Sequence, residues 1–178
     1  MNFRPILVES SEECKKPRLF RSMSVDDGTH KSVKWLTDTM GIKSYIDLRG
    51  KSEYHPLSIL DDHFIYRETD QITRDNLKMD WKLQNCKYRY HVELMPTNCN
   101  SASASYGDYF YLILDGCKNL FEKIFSIMMH NESFPILIAC RYGKDRTGIV
   151  SALIMQLMGY DDETIVKEYV KSEVKIMI

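Results

Sequence analysis

The sequence lacks long apolar runs, paired cysteine motifs and any excess of charge of one sign. No apolar stretch approaches the roughly 18 residues of a membrane-spanning helix. The five cysteines include no Cys-x-x-Cys pair, which argues against a disulfide framework. Cys86, His91 and Cys99 match no common zinc spacing, so we expect no metal. The net charge of −1 excludes a globally basic nucleic-acid-binding protein.

The composition is instead that of an ordinary globular domain. The chain has 178 residues, of which 44% are hydrophobic and 28% charged. Residues 1–16 are interpreted as a polar lead-in without the features of a secretory signal, and residues 17–178 as a single domain. We therefore expect a soluble, cytoplasmic and monomeric protein with no nucleic-acid partner, no integral membrane segment and at most transient contact with a membrane surface.

Strand-like runs alternate with helical patterns along the chain. The strand-like runs are residues 17–20, 43–48, 63–67, 88–94 and 135–139. The spacing of apolar residues predicts helices over 29–40, 108–130, 147–158 and 161–175, with a weaker one over 73–84. Residues 96–105 are small and polar and are interpreted as a loop. This alternation predicts α/β architecture.

The most specific feature is a loop between an apolar strand and an apolar helix. It begins at Cys140 and ends at Arg146, and Thr147 and Gly148 follow it. A loop that wraps onto a helix N-terminus presents backbone N–H groups and the positive end of the helix dipole, which together bind anions. The residues expected to bind the substrate anion are Arg141, Tyr142, Gly143, Lys144 and Gly148.

Three side chains of this segment suit one reaction. Positive surroundings favour the thiolate of Cys140, which is the nucleophilic form of cysteine. The planar fork of Arg146 matches two phosphate oxygens, and the Thr147 hydroxyl is suited to donate a hydrogen bond to the sulfur. The predicted reaction is attack of Cys140 on phosphorus to form a phosphocysteine, which water then hydrolyses. It requires no cofactor.

Several stretches carry a family resemblance. Residues 140–148, Cys-Arg-Tyr-Gly-Lys-Asp-Arg-Thr-Gly, resemble the signature loop of cysteine-dependent protein-tyrosine and dual-specificity phosphatases. Residues 19–22, residues 46–49 with Glu53, and residues 168–172 resemble elements of the subgroup of tyrosine phosphatases that also act on phosphoinositides. The resemblance implies a phosphatase-like fold, with a central mixed, mostly parallel sheet flanked by helices and the catalytic loop between a buried strand and a buried helix.

The leaving group needs a proton, and three aspartates are candidates to donate it. Asp145 is favoured because the resembling subgroup has an acid/base aspartate at the matching loop position. Asp70 follows a predicted strand, where dual-specificity phosphatases have their acid loop. Asp108 lies 32 residues before Cys140, which is the distance in those enzymes, but it is also interpreted as a helix cap.

The loop also indicates the kind of substrate. Arg141, Lys144 and Arg146 are offset only by Asp145, which suits a phosphoinositide or inositol polyphosphate, while phosphotyrosine in a protein stays open. Ala139 stands where the resembling superfamily usually has histidine, so the alternative function is a catalytically weak module that binds phosphorylated ligands, a pseudophosphatase. Sulfur or arsenate transfer is disfavoured by the spacing of the loop.

Two further interpretations concern regions outside the loop. Residues 71–105 match the resembling family poorly and are interpreted as a lid or insertion over the site. Asp47 and Arg49 end a predicted strand, and an internal salt bridge is favoured over contact with substrate. Five tyrosines are candidates either for an aromatic cleft or for core packing, namely Tyr88, Tyr90, Tyr106, Tyr109 and Tyr111.

Overall fold

A six-stranded sheet forms the centre of the protein in a computed structural model, which describes residues 2–6, 17–26, 28–53, 59–73, 76–77, 87–95 and 105–174. The strands are β1 (Arg4–Pro5), β2 (Leu19–Met23), β3 (Ser44–Asp47), β4 (Ile65–Arg67), β5 (Tyr88–His91) and β6 (Ile136–Cys140). Their order is β1-β2-β6-β3-β5-β4, with β1 antiparallel and the others parallel. The predicted α/β fold with a mixed, mostly parallel sheet is confirmed.

The central strand, β6, is buried along its whole length. It lies between β2 and β3, which places Cys140 beside Met23 and Ala139 beside Asp47. A continuous apolar run such as Ile136–Cys140 is typical of a parallel strand covered on both faces. Because the carboxyl ends of parallel strands meet at one edge of a sheet, Cys140 lies at the edge where α/β proteins bind ligands.

Helices cover both faces of the sheet. They are α1 (His30–Lys34), α2 (Tyr106–Gly116), α3 (Lys118–Met128), α4 (Asp145–Leu157) and α5 (Asp162–Val174), and a π turn, Trp35–Thr39, extends α1. Val33 of α1 and Leu36 of the π turn pack against one face. Ile113 of α2, Ile124 of α3 and Ile154 of α4 pack against the other. None of the helices in the described ranges is long and apolar enough to span a bilayer.

Three boundaries differ from the predictions. The helix predicted over 108–130 is two helices, because Cys117 leaves the helical conformation with φ −112° and ψ 23°. Helix α4 begins two residues before the predicted Thr147, at Asp145, so that Arg146 lies in its first turn. Strand β1 forms within the stretch interpreted as a lead-in, since Arg4 and Pro5 pair with β2.

The region interpreted as a lid, residues 71–105, is described only in part. Its described portion includes β5, which lies between β3 and β4 in the sheet and therefore belongs to the fold itself. Residues 74–75, 78–86 and 96–104 lie outside the described residues, and with them most of the weak helix and the loop predicted there.

Candidate active site

The loop predicted to bind an anion connects β6 to α4. Cys140 is the last residue of β6 and is only 2% exposed. Gly143 has φ +66°, in the left-handed region that favours glycine. A Cβ atom at Gly143 would lie 2.4 Å from the carbonyl carbon and oxygen of Ser22, so the loop sits directly on the end of β2. Glycine is therefore required at this position by both conformation and space.

The backbone amides of this loop have no partner in the protein. Within the described part of the chain, the N–H groups of residues 142–146 donate no hydrogen bond. Buried or partly buried N–H groups are normally paired, so five consecutive unpaired donors beside a helix N-terminus are available to an anion. The N–H of Gly148 differs, because it donates to the Lys144 carbonyl at 2.8 Å.

Gly148 has a packing role instead. A Cβ atom there would lie 2.4 Å from a ring carbon of Tyr169, so glycine allows α5 to approach α4 closely. The structure thus places Gly148 behind the loop, while it places the other predicted anion-binding residues in the loop itself.

Arg146 is held in a fixed orientation by Glu53. Its Nη2 donates to Glu53 Oε1 at 2.6 Å, and its Nη1 donates to the second oxygen of that carboxylate and to the Leu48 carbonyl at 3.3 Å. The backbone N–H of Gly50 also donates to Glu53, at 2.7 Å. A bidentate pair of this kind fixes the plane of the guanidinium, and sequence analysis did not assign this role to Glu53.

Electrostatics keep both members of this pair charged. Burial is the largest influence and opposes the charge on each side chain. The hydrogen bonds between them and the neighbouring charges together outweigh it, raising the pKa of Arg146 and lowering the pKa of Glu53 below its usual range. The sulfur of Cys140 also raises the pKa of Arg146, which shows that the cation and the thiol lie close enough to interact.

Asp145 and Thr147 each place an unpartnered oxygen at the start of α4. The Oδ1 of Asp145 is buried and accepts no hydrogen bond from the described residues, although Lys144 Nζ lies 3.7 Å away. Thr147 Oγ1 is likewise buried without a partner in those residues. Buried polar atoms of this kind usually have a partner, so both oxygens are available to a substrate or to water.

The other two candidate acids have different surroundings. Asp108 is the third residue of α2, and its carboxylate accepts hydrogen bonds from the Ser105 hydroxyl at 2.7 Å and the Ser105 N–H at 3.0 Å. These bonds hold its pKa below the usual range, and the interpretation of Asp108 as a helix cap agrees with them. Asp70 lies in a short 3-10 turn, Thr69–Gln71, after β4.

A cleft of about 830 Å³ lies beside Asp70. Lys51, Glu93, Met95 and Lys123 also line it. The sulfur of Met95 is 3.4 Å from Nη1 of Arg146, which connects the cleft to the catalytic loop. Lys123 Nζ already donates to the carbonyls of Thr69 and Ile72.

The tyrosines divide between the core and the rim of the site. Tyr88 and Tyr90 are buried in the core, where packing was one of the two interpretations. Tyr106 is 69% exposed, and Lys144 Nζ lies 5.5 Å from the centre of its ring. Burial raises the pKa of Tyr109. The charges of Arg146, Asp145 and Cys140 also act on that pKa, which indicates that Tyr109 lies near the loop. Tyr111 points into solvent. In the loop, Tyr142 is 51% exposed beneath the Arg141 guanidinium.

Two buried arginine networks flank the site. The strand-side network consists of Asp47, Arg49, Arg89 and Asp26, in which Asp47 accepts hydrogen bonds from both arginines and Arg49 lies 2.5 Å from Asp26. It contains the internal Asp47–Arg49 salt bridge that the sequence favoured. The loop-side network consists of Arg4, Arg21, Glu168 and Ser172, and it lies behind the catalytic loop.

Sequence reasoning missed the role of the loop-side network. Arg21, Glu168 and Ser172 lie in stretches that resemble the phosphatase subgroup, and that resemblance is the signal that pointed to them. Their contacts with each other and with the loop join residues more than a hundred positions apart, which composition and spacing do not reveal.

Metal-binding groups are absent from the described ranges, where no three His, Cys, Asp or Glu side chains are arranged to hold an ion. Cys86 and Cys99 lie outside those ranges. His91 is buried in β5, where its Nε2 lies 2.7 Å from the Arg49 carbonyl and its Nδ1 lies 3.1 Å from the Tyr66 hydroxyl. A carbonyl only accepts, so Nε2 donates and Nδ1 accepts.

Comparison with known proteins finds one short sequence match and two similar folds. A stretch of 38 residues is 47% identical to the triple specificity protein phosphatase PtpB of Mycobacterium tuberculosis, covering 21% of this chain and only 14% of PtpB. The fold is similar to the core catalytic domain of the PP-IP phosphatase SIW14 from S. cerevisiae in complex with citrate, with a TM-score of 0.55 and 19% identity over 97% of this chain and 76% of that chain. A second structure, of the Siw14 catalytic core, has a TM-score of 0.52 and 21% identity over 86% of this chain and 69% of that chain.

Structural similarity at 19% and 21% sequence identity shows the fold alone. The sequence profile of the tyrosine phosphatase family goes further, because it matches residues 2–177. That range runs from the residues before β1 to beyond the end of α5 and includes the catalytic loop. The chain belongs to the tyrosine phosphatase family.

Proposed function

We propose that this protein hydrolyses phosphate monoesters through a phosphocysteine at Cys140. The observation that carries the proposal is the row of unpaired amides at residues 142–146, which follows Cys140 in the chain and ends at Arg146 at the start of α4. A dianionic phosphate placed there meets backbone donors, the positive end of α4 and the Arg146 fork. The nucleophile then lies at the base of the same site.

In the first step, the thiolate of Cys140 donates an electron pair to phosphorus and a sulfur–phosphorus bond forms. The bond from phosphorus to the ester oxygen breaks, and that oxygen leaves with the bonding electrons and takes up a proton. The loop amides and Arg146 hold the three other phosphoryl oxygens as their charge redistributes. Glu53 acts through Arg146 as a positioning residue.

In the second step, water attacks phosphorus and gives up one proton. The sulfur–phosphorus bond breaks, orthophosphate forms, and Cys140 leaves as a thiolate. The Thr147 hydroxyl has no partner among the described residues and is suited to donate a hydrogen bond to the departing sulfur. The enzyme returns to its starting state without a metal ion or cofactor in either step.

Asp145 is the proposed proton carrier in both steps. Its Oδ1 accepts no hydrogen bond from the described residues and has Lys144 Nζ 3.7 Å away. Asp145 also lies next to Arg146 in sequence, and Cys140 and Asp145 both influence the pKa of Tyr109. The carboxyl group would give its proton to the leaving oxygen and then accept one from the attacking water. Asp108 is engaged by Ser105, and Asp70 lies in the cleft beyond Met95, so both rank behind it.

The substrate class is proposed from the cations at the rim of the site. Arg141 is exposed beside the Tyr142 ring, so its charge is available to a second phosphate, whereas Lys144 lies near both Asp145 and Tyr106. A phosphoinositide or an inositol polyphosphate fits this arrangement, and the structural neighbour SIW14 is a PP-IP phosphatase. Phosphotyrosine in a protein is the second candidate, with the rim tyrosines as packing partners for its ring.

A substrate panel run beside Cys140→Ser tests the proposal. The panel contains a phosphotyrosine peptide, a phosphoserine peptide, phosphoinositides and inositol polyphosphates. We expect the wild type to release phosphate in a vanadate-sensitive manner and Cys140→Ser to release none while still binding ligand. Turnover by Cys140→Ser would eliminate Cys140 as nucleophile. Binding without any release by the wild type would instead support the pseudophosphatase alternative that Ala139 suggests.

A further inference from the structure

The carbonyl groups of the catalytic loop are held from behind by one buried arginine. Nη2 of Arg21 donates to the Gly143 carbonyl at 2.9 Å and lies 3.5 Å from the Lys144 carbonyl. The Asn2 side chain also donates to the Gly143 carbonyl, at 3.4 Å. Arg21 is fully buried in β2, on which the loop sits, so this contact is internal and does not compete with solvent.

The geometry of the peptide bond turns this contact into an effect on the anion site. In a trans peptide, the carbonyl of one residue and the N–H of the next point in opposite directions. Holding the Gly143 carbonyl toward Arg21 therefore directs the Lys144 N–H away from Arg21. That N–H is one of the unpaired donors of residues 142–146. If the peptide rotated, a carbonyl oxygen would replace a donor in the site and would repel an anion.

Arg21 is itself held by groups from the two ends of the described chain. Its Nη2 donates to the Ser172 hydroxyl at 3.0 Å, and its Nη1 lies 3.9 Å from Glu168, both on α5. Arg4 of β1 donates to Glu168 at 2.6 Å and to Ser172 at 2.8 Å. Because Arg4 and Arg21 share the same two partners, β1 and α5 together fix the position of Arg21.

We propose that Arg21 is a positioning residue for phosphate binding, acting by orienting the Gly143–Lys144 peptide so that its N–H faces the anion. The proposal rests on the phosphatase function proposed above. It extends the site beyond the loop, because strand β1 and helix α5 become part of the machinery that sets anion affinity. Arg21 does not touch the substrate in this account.

Binding of tungstate, a tetrahedral phosphate analogue, tests this role without requiring turnover. Calorimetric titration of the full chain is expected to give a Kd about 10- to 100-fold weaker for Arg21→Met than for the wild type, the range expected for losing a hydrogen bond to a charged group. Arg21→Lys keeps the charge and one donor and should recover part of the affinity. With substrate, Arg21→Met should raise KM more than it lowers kcat.

Two further variants separate positioning from stability. Ile127→Ala removes a buried side chain near the end of α3, close to the start of β6 and opposite the loop, and should lower Tm by several degrees with an unchanged Kd. Ser172→Ala removes a hydroxyl that accepts from Arg4 and Arg21, and should weaken tungstate binding about threefold while lowering Tm no more than Ile127→Ala does. This variant carries the test if Arg21→Met does not fold.

The measured Kd values decide whether Arg21 has a positioning role. A Kd for Arg21→Met within twofold of the Ile127→Ala value would overturn the positioning role and leave the proposed phosphatase function intact. If Ser172→Ala folds and Arg21→Met does not, an unchanged Kd for Ser172→Ala would likewise overturn the positioning role. Failure of the wild type to bind tungstate would overturn both the positioning role and the proposed function.

Discussion

The two buried arginine networks differ in what their arginines bind. In the strand-side network, the guanidinium groups of Arg49 and Arg89 donate to the carboxylate of Asp47. In the loop-side network, Arg4 and Arg21 share one buried carboxylate, Glu168, and Arg21 donates to a backbone carbonyl of the catalytic loop. The first network joins side chains of neighbouring strands, while the second joins the loop to the rest of the fold.

The two networks also differ in the direction in which they shift the pKa values of their arginines. Burial opposes the charge on Arg49 and Arg89, but Asp47 outweighs it and raises the pKa of both. Burial and the neighbouring Arg4 lower the pKa of Arg21 to about 10, and Glu168 does not compensate. Positive charge in excess therefore remains behind the loop that we propose binds phosphate.

Removing the carboxylate from each network should give the largest effects and separate the two roles. Glu168→Gln leaves Arg4 and Arg21 without a carboxylate among the described residues and should lower the free energy of unfolding by about 3–5 kcal/mol. Asp47→Asn should lower it less, because Arg49 keeps Asp26 and Arg89 keeps Asp61. Only Glu168→Gln should also reduce kcat/KM, by about tenfold, because its network bonds the loop through Arg21. Denaturant unfolding and steady-state kinetics measure the two quantities.

The same kcat/KM in both variants would contradict the proposed difference between the two networks. If both variants kept wild-type kcat/KM when folded, the loop-side network would be structural like its counterpart. Ile127→Ala serves as the control for a general loss of stability, since its side chain belongs to neither network.

Asp145→Asn should have the next largest effect, on catalysis alone. We expect kcat/KM, which reports formation of the phosphocysteine, to fall about 100-fold with an alkyl phosphate, whose leaving oxygen needs a proton, and much less with a nitrophenyl phosphate, whose leaving group does not. The kcat should fall with both substrates, because hydrolysis of the phosphocysteine also needs Asp145. Asp108→Asn should instead lower the stability slightly by weakening the capping box with Ser105, with kcat within twofold of wild type. Equal sensitivity to the leaving group in wild type and Asp145→Asn would rule out Asp145 as the acid.

The Glu53–Arg146 pair should give the smallest effect, and that effect should depend on pH. The folded pKa of Glu53 lies below its ordinary 4.5, so folding favours the ionised carboxylate. The stability advantage of wild type over Glu53→Gln, about 1 kcal/mol, should be constant at neutral pH and disappear as the pH falls below 4.5 through the lowered folded value. Thermal unfolding of both proteins across this range measures it. An advantage that does not decline at all as the pH falls below 4.5 would show that the pair contributes through packing and not through charge.

Local patterns explain why much of the fold was predictable. The apolar run before Cys140 predicts strand β6, and the glycine after α4 predicts the end of that helix, which lies at Leu157. Each signal lies within a few residues of the element that it predicts. The break at Cys117 was not predicted, because the apolar spacing continues through α2 and α3 while only the backbone angles change. Strand β1 was missed because its formation depends on pairing with β2 and not on its own composition.

The residues of the site also divide into those that local sequence patterns reveal and those that depend on distant contacts. Cys140, Asp145 and Arg146 are recognisable because they lie within one loop and its helix. The partner of Arg146 is Glu53, 93 positions earlier, and the partner of the Gly143 carbonyl is Arg21, 122 positions earlier. Such contacts arise from the order of strands in the sheet, which places β2 and β3 on either side of β6. Sequence patterns indicate the residues that we propose to react, and the topology determines which residues hold them.

The central claim is that Cys140 becomes phosphorylated during turnover. Acid quenching of Asp145→Asn during hydrolysis of an aryl phosphate, followed by mass mapping of its peptides, tests it most directly because this variant should hydrolyse the intermediate slowly. The account predicts a phosphoryl group on the peptide that contains Cys140 and none in a matched sample carrying Cys140→Ser as well. A phosphoryl group on any other residue, or continued turnover in Cys140→Ser, would contradict it.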